Sequence, residues 1–234
     1  MNSSIITLQN SNYLFPVLII FALVIGLAIS YYFSTKNIIL RTLQKSPHKS
    51  INKIRENDYA KIIGKAKYVH QPLIAPLSGR PCVYYHVKIE KKVKNSWSTY
   101  VEDKKIQDFF IESGNELAFI NTTQANKFSQ MYLVKDHKVQ SGFLNAPSLK
   151  LENYLKTLGK SSTSLLGFNK TLRYNEGVIE LDEKIAIKGI AKWKSLSEPI
   201  EGYSYSKILH IYGSETQKFI ITDLPEVTQK SRNT

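Results

Sequence analysis

The sequence predicts a mainly β protein in which an N-terminal transmembrane helix precedes a mostly antiparallel, barrel-like (OB-like) β domain with one covering amphipathic helix. Three observations lead to this fold class. The 234-residue chain holds one long uncharged apolar run, Tyr13 to Phe33. Most of residues 59–225 alternates β-branched or aromatic residues with polar ones, broken by Gly, Asn and Asp, which is typical of strands and turns. Leucines at helical spacing occur in residues 147–159.

The run from Tyr13 to Phe33 predicts a membrane-spanning helix. Its length of about 21 residues is enough to cross roughly 30 Å of hydrocarbon. Tyrosines at both ends suit the two membrane interfaces. A cleaved signal peptide is the alternative, and it fits less well because no Lys or Arg precedes the run and no small-x-small cleavage site follows it.

The charges around this run predict its orientation. Residues 1–12 carry no charged side chain and would form a short extracytoplasmic tail, which places the β domain in the cytoplasm. Residues 34–58 would form a basic juxtamembrane stalk, whose cations meet anionic headgroups at ~1 kcal/mol per charge. The membrane-surface candidates are Lys36, Arg41, Lys45, Lys49, Lys53 and Arg55.

The formal net charge of +13 and the isoelectric point near 9.6 also suit a nucleic-acid ligand. The excess is concentrated beside the predicted span, however, which favours a lipid bilayer as partner over nucleic acid. A protein partner is also expected. Stacking of single-stranded bases on tyrosines of an OB-like barrel stays open as a third interpretation.

Cysteine and histidine usage argues against a metal centre. Cys82 is the single cysteine, so the chain forms no internal disulfide and no cysteine-based zinc site. The five histidines stand far apart, and no phosphate-binding glycine loop or nucleophile elbow is present. We therefore predict no cofactor, no metal and no catalytic residues.

The stretch LIAPLSGRPCVYYHVKIE, residues 73–90, is the main landmark of the domain. Two prolines around a glycine predict a rigid turn, and Cys82 to Glu90 predicts a strand in which Cys82 is a small buried side chain. Arg80 at the apex either recognises an anion or pairs with a Glu of a neighbouring strand. The candidate binding residues are Ser78, Gly79, Arg80, Pro81, Cys82 and Tyr84.

The remaining elements follow from periodicity. Leu151, Tyr154, Leu155 and Leu158 predict the covering helix, and the likeness of AIKGIAKW to KIIGKAKY predicts two similar strands of one barrel. Residues 226–234 read as a frayed tail. Strands are predicted at residues 60–69, 82–90, 109–120 (a hairpin), 131–134, 172–193 (two strands, the first interrupted at 175–177), 207–212 and 218–222, with a loop at 136–142.

The landmark stretch, FFIESGNELAFI and LRYNEGVIELDEKIAIKGIAKW together resemble the membrane-proximal (GIDE/BAM-type) domain of the MULAN/GIDE family of RING-type ubiquitin ligases. The resemblance covers about residues 59–193 and implies a β-rich domain beside a membrane. The chain departs from the family pattern because it lacks the second span and the seven or eight zinc ligands that a RING needs. It therefore looks like a bacterial relative without the transferase machinery.

These observations lead to one main functional hypothesis and two alternatives. The main one is a membrane-anchored, non-catalytic β module that binds a partner protein or the membrane surface. The first alternative is a ubiquitin-protein transferase component that acts with a separate RING subunit. The second is an OB-like domain that binds single-stranded nucleic acid.

Overall fold

The computed structural model describes residues 11–69, 71–122, 129–141, 146–164, 168–196 and 205–229. The helices are α1 Ser11–Tyr32, α2 Thr35–Gln44, α3 Leu149–Thr157 and α4 Pro225–Thr228, with a 3-10 turn at Ile51–Lys53. The strands are β1 Tyr59–Tyr68, β2 Leu73–Ile74, β3 Pro81–Val93, β4 Ser96–Ile106, β5 Phe109–Ser113, β6 Glu116–Ile120, β7 Ser129–Tyr132, β8 His137–Ser141, β9 Leu172–Glu180, β10 Lys184–Ser195, β11 Lys207–Tyr212 and β12 Phe219–Thr222.

Five strands close into a barrel in the order β1, β5, β6, β11, β10 and back to β1. All neighbours in this barrel are antiparallel except β6 and β11, which run parallel. Inward-facing side chains such as Ile62, Phe109 and Ile211 fill the interior and are fully buried. The expectation of a mainly β chain with a barrel is therefore confirmed. Strands β12 and β7 extend the barrel sheet beyond β10.

The two strands with similar sequences, β1 and β10, are neighbours in the barrel and pair antiparallel. Gly64 in β1 lies against the backbone carbonyl of Glu112 in β5, where any Cβ would collide. Glycine is therefore required at this position. Its lack of a side chain lets β1 pass from β10 to β5 within one strand.

The remaining strands form a second sheet. Its strand order is β2, β3, β9, β8, and β4 also pairs with β3. Helix α3 buries Leu151 and Leu155 among residues of β3 and β9, so the predicted covering helix exists but covers this second sheet. Two predictions were wrong here. The expected loop at residues 136–142 contains β8, and β9 runs without a break through residues 175–177.

Helix α1 is long and apolar enough to cross a membrane. Its segment Phe15–Tyr32 has a mean hydropathy of 2.3, and none of this segment is buried. Ser34 is the N-cap of α2, and its hydroxyl oxygen accepts a hydrogen bond from the Asn37 N–H. The helices α1 and α2 are therefore separate. The joint is held by Arg41, whose Nη1 donates to the Tyr32 carbonyl at 2.7 Å and whose guanidinium lies 3.8 Å from the Tyr32 ring centroid.

Helix α2 packs on the barrel and does not stand free as the predicted stalk would. Ile39 and Leu43 are fully buried against the outward side of β10, β12 and α4. The Lys61 ammonium donates to the Leu43 carbonyl at 2.8 Å, and that of Lys188 donates to Ser46 Oγ at 2.6 Å. Cations at a helix C-terminus offset its partial negative charge, so both lysines fix the end of α2.

The C-terminal end of the chain also differs from the prediction. Val227 and Thr228 were expected to belong to a frayed tail, yet both are buried, and Val227 packs in the cluster beneath α2. The apolar contact with α2 explains the difference, because a short helix can be ordered by the partner it covers. Residues 230–234 of the predicted tail and 1–10 of the predicted extracytoplasmic segment lie outside the described residues.

Candidate functional site

The predicted landmark turn is present between β2 and β3. The Gly79 N–H donates to the Ala75 carbonyl at 2.8 Å, and the Ala75 N–H donates to the Arg80 carbonyl at 2.9 Å. Gly79 has φ +78°, a conformation that glycine adopts without strain. The turn therefore follows from its glycine and flanking prolines, as predicted from the sequence.

A buried carboxylate holds this turn in place. Glu176 of β9 is fully buried, and its two oxygens accept from the Leu77 and Ser78 N–H groups, each at 2.8 Å. The Lys150 ammonium of α3 donates to the Ser78 carbonyl at 3.1 Å. One side chain thus accepts hydrogen bonds from two backbone N–H groups of the turn.

The Arg80 guanidinium lies between two carboxylates. Its Nη1 is 2.5 Å from Glu180 of β9, and its Nη2 is 3.0 Å from Asp136, which precedes β8. Burial alone would lower the pKa of Arg80, but Asp136 and Glu180 hold it above its usual value. The structure therefore places Arg80 in an ion-pair network inside the chain, and a recognition role for the turn stays a prediction.

The other candidate residues of the turn differ in accessibility. Cys82 and Tyr84 are buried in separate clusters, whereas Gly79 and Pro81 are exposed and Ser78 is partly exposed. Burial raises the pKa of the Cys82 thiol to about 12, with the Glu176 charge adding to the effect. Cys82 is accordingly a packing residue, because its thiolate is scarce at neutral pH.

The six basic residues of segment 34–58 divide into two groups. Three bind within the chain: Arg41 at Tyr32, Lys36 at Glu226 (3.5 Å) and Lys49 at Asp58 (2.8 Å). The other three are exposed and have no carboxylate within ion-pair distance among the described residues: Lys45, Lys53 and Arg55. Half of the predicted cationic set is thus available to an external anion.

A row of side chains crosses the outside of the barrel, and it was not predicted from the sequence. The strand register places one residue from each barrel strand side by side. We call this set the outer row, and it consists of Lys67 (β1), Phe110 (β5), Phe119 (β6), His210 (β11) and Lys192 (β10).

The rings of the outer row touch one another. Ring centroids lie 5.6 Å apart for Phe110 and Phe119, and 4.9 Å apart for Phe119 and His210. All three rings are partly exposed. At the first end of the row, Lys67 pairs with Asp182 at 2.5 Å and with Glu112 at 3.4 Å. At the other end Lys192 is exposed.

A small cleft of about 220 Å³ opens beside the Lys192 end of the outer row. It is lined by Asn121, Lys192, Lys194, His210, Ile211 and Tyr212. The Nδ1 atom of His210 is buried and has no hydrogen-bond partner among the residues that the structure describes. Burial, together with Lys194, lowers the pKa of His210 to about 4 against the opposing effect of Asp108, so this ring is neutral at physiological pH.

Within the described residues, no three side chains of His, Cys, Asp or Glu come together in a way that could hold a metal ion. Comparison of the chain with protein-family models, with curated proteins and with solved structures finds no match. The functional argument therefore depends on the geometry of the chain itself.

Proposed function

We propose that this chain is a single-pass membrane protein whose β body is a non-catalytic binding module held directly against the cytoplasmic membrane surface. One observation carries the proposal. The apolar segment Phe15–Tyr32 is fully uncovered by the described body, while α2, which follows at once, is packed on the barrel. An uncovered apolar helix of this length is far more stable in hydrocarbon than in water.

The joint between α1 and α2 determines how close the body lies to the bilayer. Arg41 binds Tyr32 through both a hydrogen bond and its ring, and the Asn37 amide donates to the Tyr31 carbonyl at 2.7 Å. Because α2 is itself anchored by Lys61 and Lys188, little free chain separates the span from the barrel. The exposed cations of segment 34–58 then lie within reach of anionic headgroups.

The finer description of the barrel is part of the same proposal. Numbered in chain order, its five strands follow the order 1-2-3-5-4-1 with a parallel 3–5 pair, which supports an OB-like barrel. The likeness to the membrane-proximal domain of the MULAN/GIDE family is likewise proposed, and the well-held turn at residues 75–81 supports it. Among the described residues, no contact favours a transferase component over a binding module.

Cysteine labelling tests the span and its orientation. Ser3→Cys and Lys53→Cys are each introduced into the full chain, and membrane-impermeant maleimide is added to right-side-out or inverted vesicles. The wild-type chain is the control, because buried Cys82 with its pKa near 12 reacts slowly. We expect Ser3→Cys to label only in right-side-out vesicles and Lys53→Cys only in inverted ones.

Two results would refute this proposal. One is labelling of both positions from the same side. The other is a mature protein that begins beyond Phe33, which would identify α1 as a cleaved signal peptide. Resistance of the full chain to alkaline carbonate extraction provides an independent check on membrane integration.

A further inference from the structure

The outer row faces away from the barrel core. On each strand its members alternate with buried residues of the interior, such as Ile111, Ala118 and Leu209. The rings of Phe110 and Phe119 are therefore not needed to fill the barrel, although aromatic side chains are usually buried for that purpose. Their place on the outside calls for a separate explanation.

The exposed charges that line the cleft at the end of the row are cationic. Lys192 and Lys194 are exposed, and neither has a carboxylate within ion-pair distance among the described residues. Both line the cleft that also contains His210. Glu112 and Asp182 lie at the opposite end of the row, where they pair with Lys67. Asp108 is the acidic group that acts on His210, and it accepts hydrogen bonds from the Thr122 N–H and hydroxyl at 2.8 and 2.7 Å.

His210, which lines the cleft, has a buried Nδ1 atom without a hydrogen-bond partner among the described residues. Leaving a buried polar atom such as His210 Nδ1 without a partner costs free energy. A neutral imidazole presents one donor and one acceptor nitrogen, so it suits the polar edge of a nucleobase. The partly exposed rings suit a base, and the exposed ammonium groups of Lys192 and Lys194 beside them suit a phosphate. Base and phosphate are the two parts of a nucleotide that such a surface can contact.

We propose that the outer row and its cleft bind single-stranded nucleic acid, with unpaired bases stacking on Phe110 and Phe119 and phosphates contacting Lys192 and Lys194. Stacking on aromatic rings beside a basic groove is the general means of binding single strands, because every base has a π face. In a duplex the base faces are already stacked, so the rings would discriminate against it. This site is separate from the proposed membrane anchor.

Fluorescence anisotropy of a labelled oligothymidylate tests the proposal, using the full chain in nanodiscs of zwitterionic lipid. We expect the single strand to bind more tightly than a duplex of the same length. Phe119→Leu should weaken binding about tenfold, because it keeps an apolar β residue but removes the stacking ring. Lys192→Ala combined with Lys194→Ala should reduce the slope of log K against log salt by about 1.4.

The matched control is Lys105→Ala combined with Lys156→Ala, which removes the same charge from two exposed lysines elsewhere. We expect this control to change binding less than about twofold. The proposal is overturned if the full chain does not bind at about 50 mM salt, if duplex binds equally well, or if the control pair loses as much as the Lys192 and Lys194 pair. Those two lysines are exposed, so their variant tests the site even where a Phe119 variant fails to fold. Because anisotropy in nanodiscs is independent of orientation, its failure leaves the labelling result unaffected.

Discussion

Helix α2 covers one side of the barrel, whereas the side built from β5, β6 and β11 carries the partly exposed outer row. On the covered side the contacts are aliphatic, with Ile39 and Leu43 fully buried over Ala186 and Ile220. On the open side the apolar groups are aromatic and stand beside lysines. The covered side is built from β10 and from β12, which extends the barrel sheet, whereas the open side is built from barrel strands alone. Barrel closure alone does not require either arrangement.

The difference shows how each side relates to stability. Aliphatic and small residues let α2 approach the sheet closely. Lys61 of β1 and Lys188 of β10 bond to the C-terminal end of α2 and fix its position. The rings of the outer row contact one another across the sheet, and Lys67 at its first end pairs with Glu112 and Asp182. We therefore infer that the covered side contributes mainly to folding, while the open side is free to serve binding.

The largest predicted effect is on the covered side. Leu43→Ala should lower the free energy of unfolding by about 3 kcal/mol, because it removes a fully buried side chain and leaves a cavity under α2. Phe119→Leu on the open side should cost less than about 1 kcal/mol. Chemical denaturation of the full chain in detergent, followed by Trp fluorescence, measures both.

Leu149→Ala is the matched control, since Leu149 also lies in an amphipathic helix but is 78% exposed. Its effect should be within about 0.5 kcal/mol of zero. Equal losses for Leu43→Ala and Phe119→Leu would break the comparison, because they would assign the outer row to the folding core.

The second predicted effect is an opposite pH response of the two sides. The pKa of His210 on the open side is lowered to about 4, mainly by burial. Between about pH 4 and 6.5 the unfolded chain binds this proton and the native one does not, so stability rises with pH. Asp223 follows β12 near the covered side, and burial raises its pKa to about 6, so its contribution to stability falls as pH rises from about 4 to 6.

Single substitutions separate these opposing responses. The His210→Phe variant should lack the rise in stability with pH that His210 causes. Its free energy of unfolding, taken relative to wild type, should therefore fall by about 2 kcal/mol between pH 4 and pH 6.5. Asp223→Asn keeps an oxygen that can accept from Val134 and should show the reverse trend. Unfolding curves collected across this pH range check both variants. If the free energies of unfolding of the two variants changed in parallel with pH, the opposite roles assigned to His210 and Asp223 would be contradicted.

The sequence was sufficient for the elements that have strong local signals. The alternation after Pro81 identified β3, and leucine spacing identified α3, which the structure caps with Ser148. β8 was missed because His137–Ser141 is a polar strand at the edge of its sheet, without alternation to mark it. Edge strands depend on a neighbour for their hydrogen bonds, and no neighbour is visible in a local window.

The functional residues were harder to predict because their roles come from tertiary contacts. The tripeptide Asn175-Glu176-Gly177 resembles a turn, and only the fold reveals that Glu176 binds the residue 75–81 turn. Gly177 is required where β9 passes the Val134 carbonyl. The outer row takes one residue from each of five strands, so no single strand contains more than one member. Only Phe110 and Phe119 share a predicted hairpin, and the other members come from distant parts of the chain.

The smallest predicted effect concerns the side of α2 that faces α1. Arg41 contacts Tyr32 and is not part of the buried cluster under the helix. Arg41→Ala should therefore change the free energy of unfolding of the body by less than about 1 kcal/mol, the usual range for an exposed cation–π contact. The same denaturation assay measures it beside Leu43→Ala, two residues away on the same helix.

A second readout separates the joint from the body. Spin labels at Lys53→Cys and at Ser3→Cys report mobility relative to the bilayer, and Arg41→Ala should increase the mobility at Lys53→Cys alone, because only that position lies beyond the joint. A loss of stability as large as that of Leu43→Ala would show that α1 and the barrel fold as one unit. In that case α2 would couple the membrane span mechanically to the barrel. It would not be anchored to the barrel independently of α1.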